Sequence, residues 1–227
     1  MSSNTPGQLI PSSYLFKVSL PLYYRATEWK PGSGFQLEDR YQIPTFDALD
    51  HPEGSLCSAR IAWSEEGLWL QFSIRGKKLK PFCRLTDLEQ SDGVEVFIDT
   101  RNTKNVHRAT RFCHRFLFLP KGSGSQEKDP YGTMLKIRLA RGEPGTIGQF
   151  QRTVVSKIKR DGYDLSVHLS RRDLEGWIPA EQPELGLHFV VRDQEIGAWP
   201  MIYDQNLPVS EDPSLWPTAF LTPNQGK

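Results

Sequence analysis

Cysteine is scarce in this chain: Cys57, Cys83 and Cys113 are the whole supply, odd in number and far apart, with no CxxC pair. They read as reduced, buried thiols in a reducing compartment, and a disulfide framework is excluded. Long apolar runs are missing too; none approaches the roughly 20 residues that span a bilayer. Net charge is nearly absent, because 28 Lys+Arg stand against 27 Asp+Glu for a balance of +1. A generic nucleic-acid binder draws its affinity from neutralising phosphates and carries a basic surplus that this chain lacks. The opening MSSNTPGQLIPSSYLF holds no basic segment leading into an apolar one, so the expectation is a cytoplasmic protein with no membrane or nucleic-acid partner. Internal repeats and sustained helical periodicity are also wanting. Membrane, collagen, coiled-coil and disulfide-scaffold classes fall away, and composition names no function.

What is present is period-2 alternation in short segments, the signature of half-buried strands. GLWLQFSIR at 67–75 sets Leu68, Leu70, Phe72 and Ile74 against Trp69, Gln71, Ser73 and Arg75. GVEVFID at 93–99 sets Val94, Val96 and Ile98 against Glu95, Phe97 and Asp99. RFCHRFLFLP at 111–120 is apolar on both faces and belongs centrally in a sheet. Further strands are predicted over 134–140, 163–169 and 185–191. Arg160-Asp161-Gly162 links RTVVSKIK to YDLSVHL, and Asp-Gly supplies the positive-φ positions of a tight turn, so these two segments pair antiparallel. The strongest helical signal is one turn at Ser170–Glu175, with Ser170 as cap and Asp173 three positions on. The stretch 120–130, bounded by Pro120 and Pro130, reads as a polar glycine-rich loop. The expectation is all-β: one antiparallel β-sandwich, jelly-roll-like, over the whole of 1–227, with little helix. Residues 1–55 form an N-terminal extension wrapped around a sandwich core at 57–221.

ARIAWSEEGLWLQFSIRGKKLK followed by SDGVEVFIDTR, with Trp63, Leu68-Trp69 and Asp92–Asp99, resembles the family-9 carbohydrate-binding modules and the related DOMON-like sandwiches. The Phe-rich strand, the GYDLSVHLS hairpin arm and LGLHFVVRD follow in the same order. The resemblance covers about residues 57–195, with a weaker tail to 221. It implies a β-sandwich without catalytic apparatus, in which aromatic side chains stack on a sugar and polar residues bond its hydroxyls. On that reading Glu95 is the motif glutamate, and Arg115, or His114 in the alternative register, stands for the arginine on the following strand. The C-terminal stacking aromatic is Trp199, Tyr203 or Trp216. Two positions depart from the family pattern: Leu88 stands where an aromatic is usual and Gly76 where an acid is usual.

The candidate ligand-binding set is therefore Glu95, Arg115, Trp199, Tyr203 and Trp216, with no catalytic residue, no cofactor and no metal assigned. Glu95→Ala is expected to weaken sugar binding with little change in thermal stability. Asp92, Glu95 and Asp99 also offer hard oxygen ligands of the kind a structural calcium ion takes. The histidines show no His-x-His or HExxH spacing. The basic run from Arg101 to Arg115 follows the acidic run from Asp87 to Asp99, and pairing across the sheet would cancel both. The partner is a carbohydrate or, in the rival reading, a protein: an interaction or scaffold protein that kept the sandwich and lost the sugar site. An exposed apolar strip around Leu88 would favour the rival.

Overall fold

The structure is a computed structural model that describes residues 19–44, 56–145, 153–202 and 207–223. Its strands are β1 (Ser19–Tyr24), β2 (Cys57–Ser64), β3 (Gly67–Ile74), β4 (Gly93–Asp99), β5 (Cys113–Ser123), β6 (Asp129–Leu135), β7 (Val154–Lys159), β8 (Gly162–Ser170), β9 (Glu184–Asp193), β10 (Gly197–Pro200) and β11 (Thr218–Thr222). They form one 11-stranded sheet in the order β6-β5-β4-β9-β11-β1-β2-β3-β8-β7, with β10 paired to β9. The ribbon curls until β7 lies beside β5 and β6, so it nearly closes on itself. The all-β expectation holds, and only two single-turn 3-10 segments, Asp39–Tyr41 and Pro213–Leu215, interrupt it among the described residues.

The alternation sets the two faces of every long strand. Leu68, Leu70, Phe72 and Ile74 of β3, Val94, Val96 and Ile98 of β4, and Leu185, Leu187, Phe189 and Val191 of β9 all point into one core. Phe116 and Phe118 of β5 join them, as does Trp63 of β2. The opposite phase faces outward, and both outer faces are then partly roofed by connecting segments. That leaves Phe97 under Trp216 on one side and Trp69 under Phe35 on the other.

Several expectations need correction. The sheet is mixed, because β1 runs parallel to both β11 and β2. A parallel pair cannot be closed by a hairpin, and β1 reaches its neighbours through long connections that impose no antiparallel turn. The N-terminal extension is thus part of the sheet at 19–24, with Leu20 and Leu22 in the core. The strand expected at 134–140 is β6 at Asp129–Leu135, and the expected loop at 120–130 holds the ends of β5 and β6. A register shift between Leu119 and Ser123 absorbs Pro120, which has no N–H to give a ladder.

The β7–β8 hairpin forms as expected, with Lys159 opposite Gly162. Its glycine has another purpose, however. Gly162 sits at φ +155, where an added Cβ would lie 1.9 Å from the Ile74 carbonyl oxygen, so the close approach of β3 requires glycine. At 170–175 the chain makes one turn, in which the Asp173 carboxylate accepts from the Ser170 N–H and hydroxyl.

Candidate functional site

The outer face of β5, β4 and β9 carries the motif glutamate. Glu95 lies opposite Leu117 on β5 and Val190 on β9, one row from Arg115 and one from Arg192. Arg115 donates from Nε and Nη2 to the two Glu95 oxygens, both at 3.1 Å. Arg192 reaches Glu95 Oε1 at 2.8 Å from the other side. The carboxylate is 1% exposed, covered by the two guanidiniums it orients. Two cations on one anion leave a surplus positive charge, and both arginine side chains stay partly exposed. Arg115 Nη1 also donates to the Lys136 carbonyl at 3.2 Å.

Glu95 and Arg115 are therefore together, and the register question is settled: His114 faces the core, where its Nε2 accepts from the Glu175 N–H at 2.9 Å. Burial lowers the His114 pKa to about 4. The two tryptophans do not join the pair. Trp199 lies opposite Val191 and packs in the core, its indole N–H donating to the Ile196 carbonyl at 3.0 Å. Trp216 is on the outer side but roofed: its ring lies 5.6 Å from Phe97 and its N–H donates to the Val209 carbonyl at 2.6 Å. Neither presents a ring to solvent, which corrects their assignment as stacking residues; in both cases hydrophobic burial has claimed the surface a sugar would need. Tyr203 lies outside the described residues.

Leu88 is half-buried and packs with Tyr131 and Leu135 against Cys83, Leu117 and Leu119, forming an apolar border to the arginine pair. Gly76 is exposed at the start of the next loop, at φ +81. That loop exposes Leu79, Phe82 and Leu85. All three cysteines are buried thiols outside any disulfide, and burial raises the Cys83 thiol to about 12 and the Cys113 thiol to about 11.

Sequence reasoning missed Arg192 and Lys77. The signal for Arg192 was its outward phase in LGLHFVVRD; what gave it meaning was the β4–β9 register. Lys77 is buried, with Nζ at 2.6 Å from Asp193, 3.2 Å from Asp92 and 3.6 Å from Glu195. Burial opposes its charge, but the Asp193 hydrogen bond and the Asp92 and Asp193 charges outweigh burial and hold its pKa above the ordinary value.

The three carboxylates considered for calcium are separately engaged. Asp92 faces Lys77 and accepts from the Phe82 and Gln194 N–H groups. Glu95 faces two arginines, and Asp99 accepts from the Arg101 and Thr103 N–H groups at its own turn. These residues do not fit a shared calcium site, because two already have cationic partners and the third caps backbone. No metal-holding group of three such side chains occurs among the described residues.

Solved structures decide the fold. A family-9 carbohydrate-binding module from Caldicellulosiruptor kristjanssonii, in complex with cellotriose, matches with a TM-score of 0.60 and 14% identity, over 90% of this chain and 94% of that one. A family-9 module of the same organism in complex with glucose matches with a TM-score of 0.57 and 14% identity, over 92% of this chain and 98% of that one. The fold is that of a family-9 carbohydrate-binding module. No protein-family model matches the chain, and no curated protein matches its sequence. The family-9 likeness is one of backbone architecture.

Proposed function

We propose that this protein is a non-catalytic carbohydrate-binding module whose ligand lies on the outer face of β5, β4 and β9. The observation that carries the reading is the Arg115–Glu95–Arg192 cluster, in which a buried carboxylate fixes two partly exposed guanidiniums. Fixed donors suit sugar hydroxyls, since their ordering cost is met on folding. The fold likeness to modules solved with cellotriose and glucose supports the same ligand class. Glu95 acts here through the arginines and does not itself meet the sugar. A glycan array followed by calorimetric titration tests the proposal: Arg192→Ala should weaken binding at least tenfold while leaving the fold intact. Failure of every mono- and oligosaccharide to bind would overturn it.

A second reading has its own observation. Leu79, Phe82 and Leu85 are exposed on the loop that leads to Leu88, an apolar strip at the edge of the same face. Such a strip suits a protein partner more than a sugar. An empty glycan array together with tight binding of a protein, lost in Leu79→Ser/Leu85→Ser, would select this reading.

A further inference from the structure

The outer face of β2, β3, β8 and β7 carries a groove of about 530 Å³. Strand register builds its floor from two polar rows. Gln71 on β3 lies opposite Arg60 on β2 and Ser166 on β8. One row along, Ser73 lies opposite Asp164, which in turn faces Lys157 on β7. The inward phase of the same strands holds Leu70, Phe72, Leu165 and Val154, so parity leaves only polar side chains for this floor. The chain at 34–37 is pinned across one end. Ser166 Oγ donates to the Phe35 carbonyl at 3.0 Å, and the Leu37 N–H donates to Gln71 Oε1 at 2.6 Å.

The charge of the lining is nearly all of one sign. Arg60, Arg75, Lys157 and Lys159 stand in it against a single carboxylate, Asp164. Asp39, outside the lining, pairs with Arg60 at 2.6 Å, and two positive charges remain in surplus. Asp164 acts as a positioning group: its oxygens lie 2.5 Å from Arg75 Nη2 and 2.7 Å from Lys159 Nζ. Arg75 Nη1 also donates to the Ile74 and Tyr163 carbonyls at 2.7 and 3.1 Å, so three acceptors hold this guanidinium in place. These cations stay within a ligand's reach. The Arg75 and Lys159 side chains are 32% and 35% exposed, and Lys157 is an exposed residue.

A concave site with fixed cations in surplus selects an anion. The spread of those cations selects its size. Arg60 on β2 and the lysines on β7 are three strand spacings apart, about 14 Å, which a lone small anion cannot bridge. A short oligomer with anionic groups along it can. Single-stranded nucleic acids fit poorly, since they are held by bases stacked on aromatic rings, and the floor between the cations is Gln71, Ser73 and Ser166. Amide and hydroxyl groups there suit a hydroxylated skeleton. We propose that this groove is a second binding site, for an acidic oligosaccharide bearing carboxylate or sulfate groups. It rests on the carbohydrate reading for its saccharide class; the charge of the ligand comes from the groove.

Calorimetric titration of the full-length protein with cellotriose, sulfated cellotriose and trigalacturonate is the test. The first two share a skeleton and differ in charge, and the third carries carboxylate in place of sulfate. At least one acidic sugar should bind, and more weakly as salt rises from about 50 to about 300 mM. Lys157→Gln should weaken that binding about tenfold, the worth of one charge-assisted hydrogen bond, and Lys157→Arg should restore it. Lys157 is exposed, so both variants should melt at the native temperature. An Arg115→Ala/Arg192→Ala double variant should keep the acidic-sugar binding. Binding that Lys157→Gln leaves untouched and the double variant abolishes overturns the groove and moves the acidic sugar to the arginine face. Silence from both acidic sugars also overturns the groove, and cellotriose binding beside it leaves the first reading standing. A hexanucleotide that binds as tightly as the acidic sugars overturns the saccharide class.

Discussion

The two outer faces of this sandwich differ in how their central buried polar side chains are partnered. On the β5-β4-β9 side Glu95 is held by two arginines, while the nearby His188 keeps one nitrogen without a partner; Lys77 with Asp92, Asp193 and Glu195 forms a separate buried cluster in the inward phase of β4 and β9. On the β3-β8 side His168 and Trp69 lie equally deep, with their nitrogens unpartnered beneath an aromatic roof. The Glu95 cluster is complete on folding, with both arginines still partly exposed. A paired face resists mutation of its charges; an unpaired one tolerates, or gains from, loss of its polarity.

Four substitutions would break or sharpen this contrast. Lys77→Ala leaves Asp92 and Asp193 buried without their cation and should cost about 3–5 kcal/mol, read by urea denaturation. A loss below about 1 kcal/mol would mean that the carboxylates escape to water and that the paired side is not what it seems. Glu95→Ala leaves Arg115 and Arg192 facing each other and should cost less, about 2–3 kcal/mol, since both guanidiniums still reach solvent. This reverses the expectation from sequence that Glu95 could be removed with little change in melting temperature.

On the other face the sign should invert. His168→Phe replaces an unsatisfied imidazole by an apolar ring and should stabilise the free protein by about 1 kcal/mol at pH 7. The same variant tests the pH dependence. Burial lowers the folded pKa values of His114 and His168 to about 4 and of His188 to about 3, all below the ordinary 6.5. The unfolded chain therefore takes up protons first, so stability is full above about pH 6.5 and falls as pH drops from there toward 4. His168→Phe should flatten that fall without abolishing it, because His114 and His188 remain; an unchanged acid profile would show that His168 is not buried neutral. The smallest effect belongs to Trp29→Ala. Trp29 is half-exposed, and losing its stack on His168 should cost about 0.5–1.5 kcal/mol in thermal melts.

Much of the fold was legible because period-2 alternation is a local property. GVEVFID and GLWLQFSI mark β4 and β3 and assign their inward residues, and Glu95 comes out on the outer face; the β4–β5 register is what sets Arg115, and not His114, beside it. The misreadings arise where local cues compete. Pro120 and the glycines after it look like a loop, yet a register shift lets β5 continue through them to Ser123. Trp199 and Trp216 were candidates for stacking on a sugar through the family resemblance, but one follows the inward phase of β10 and the other is roofed by the segment before it. His168 looked like one of several scattered histidines until Trp69 was set beside it and Trp29 above it.

The sequence by itself determined that this is an all-β protein and which residues of its clearly alternating strands enter the core, because side-chain direction along a strand depends only on the parity of position. Tertiary structure alone decided that Arg192 completes the Glu95 cluster, that Lys77 is buried among acids far away in the chain, and that two tryptophans and a histidine meet in one groove. Those outcomes depend on strand register and on where connecting segments settle, and both are fixed by packing between residues that local pattern cannot bring together.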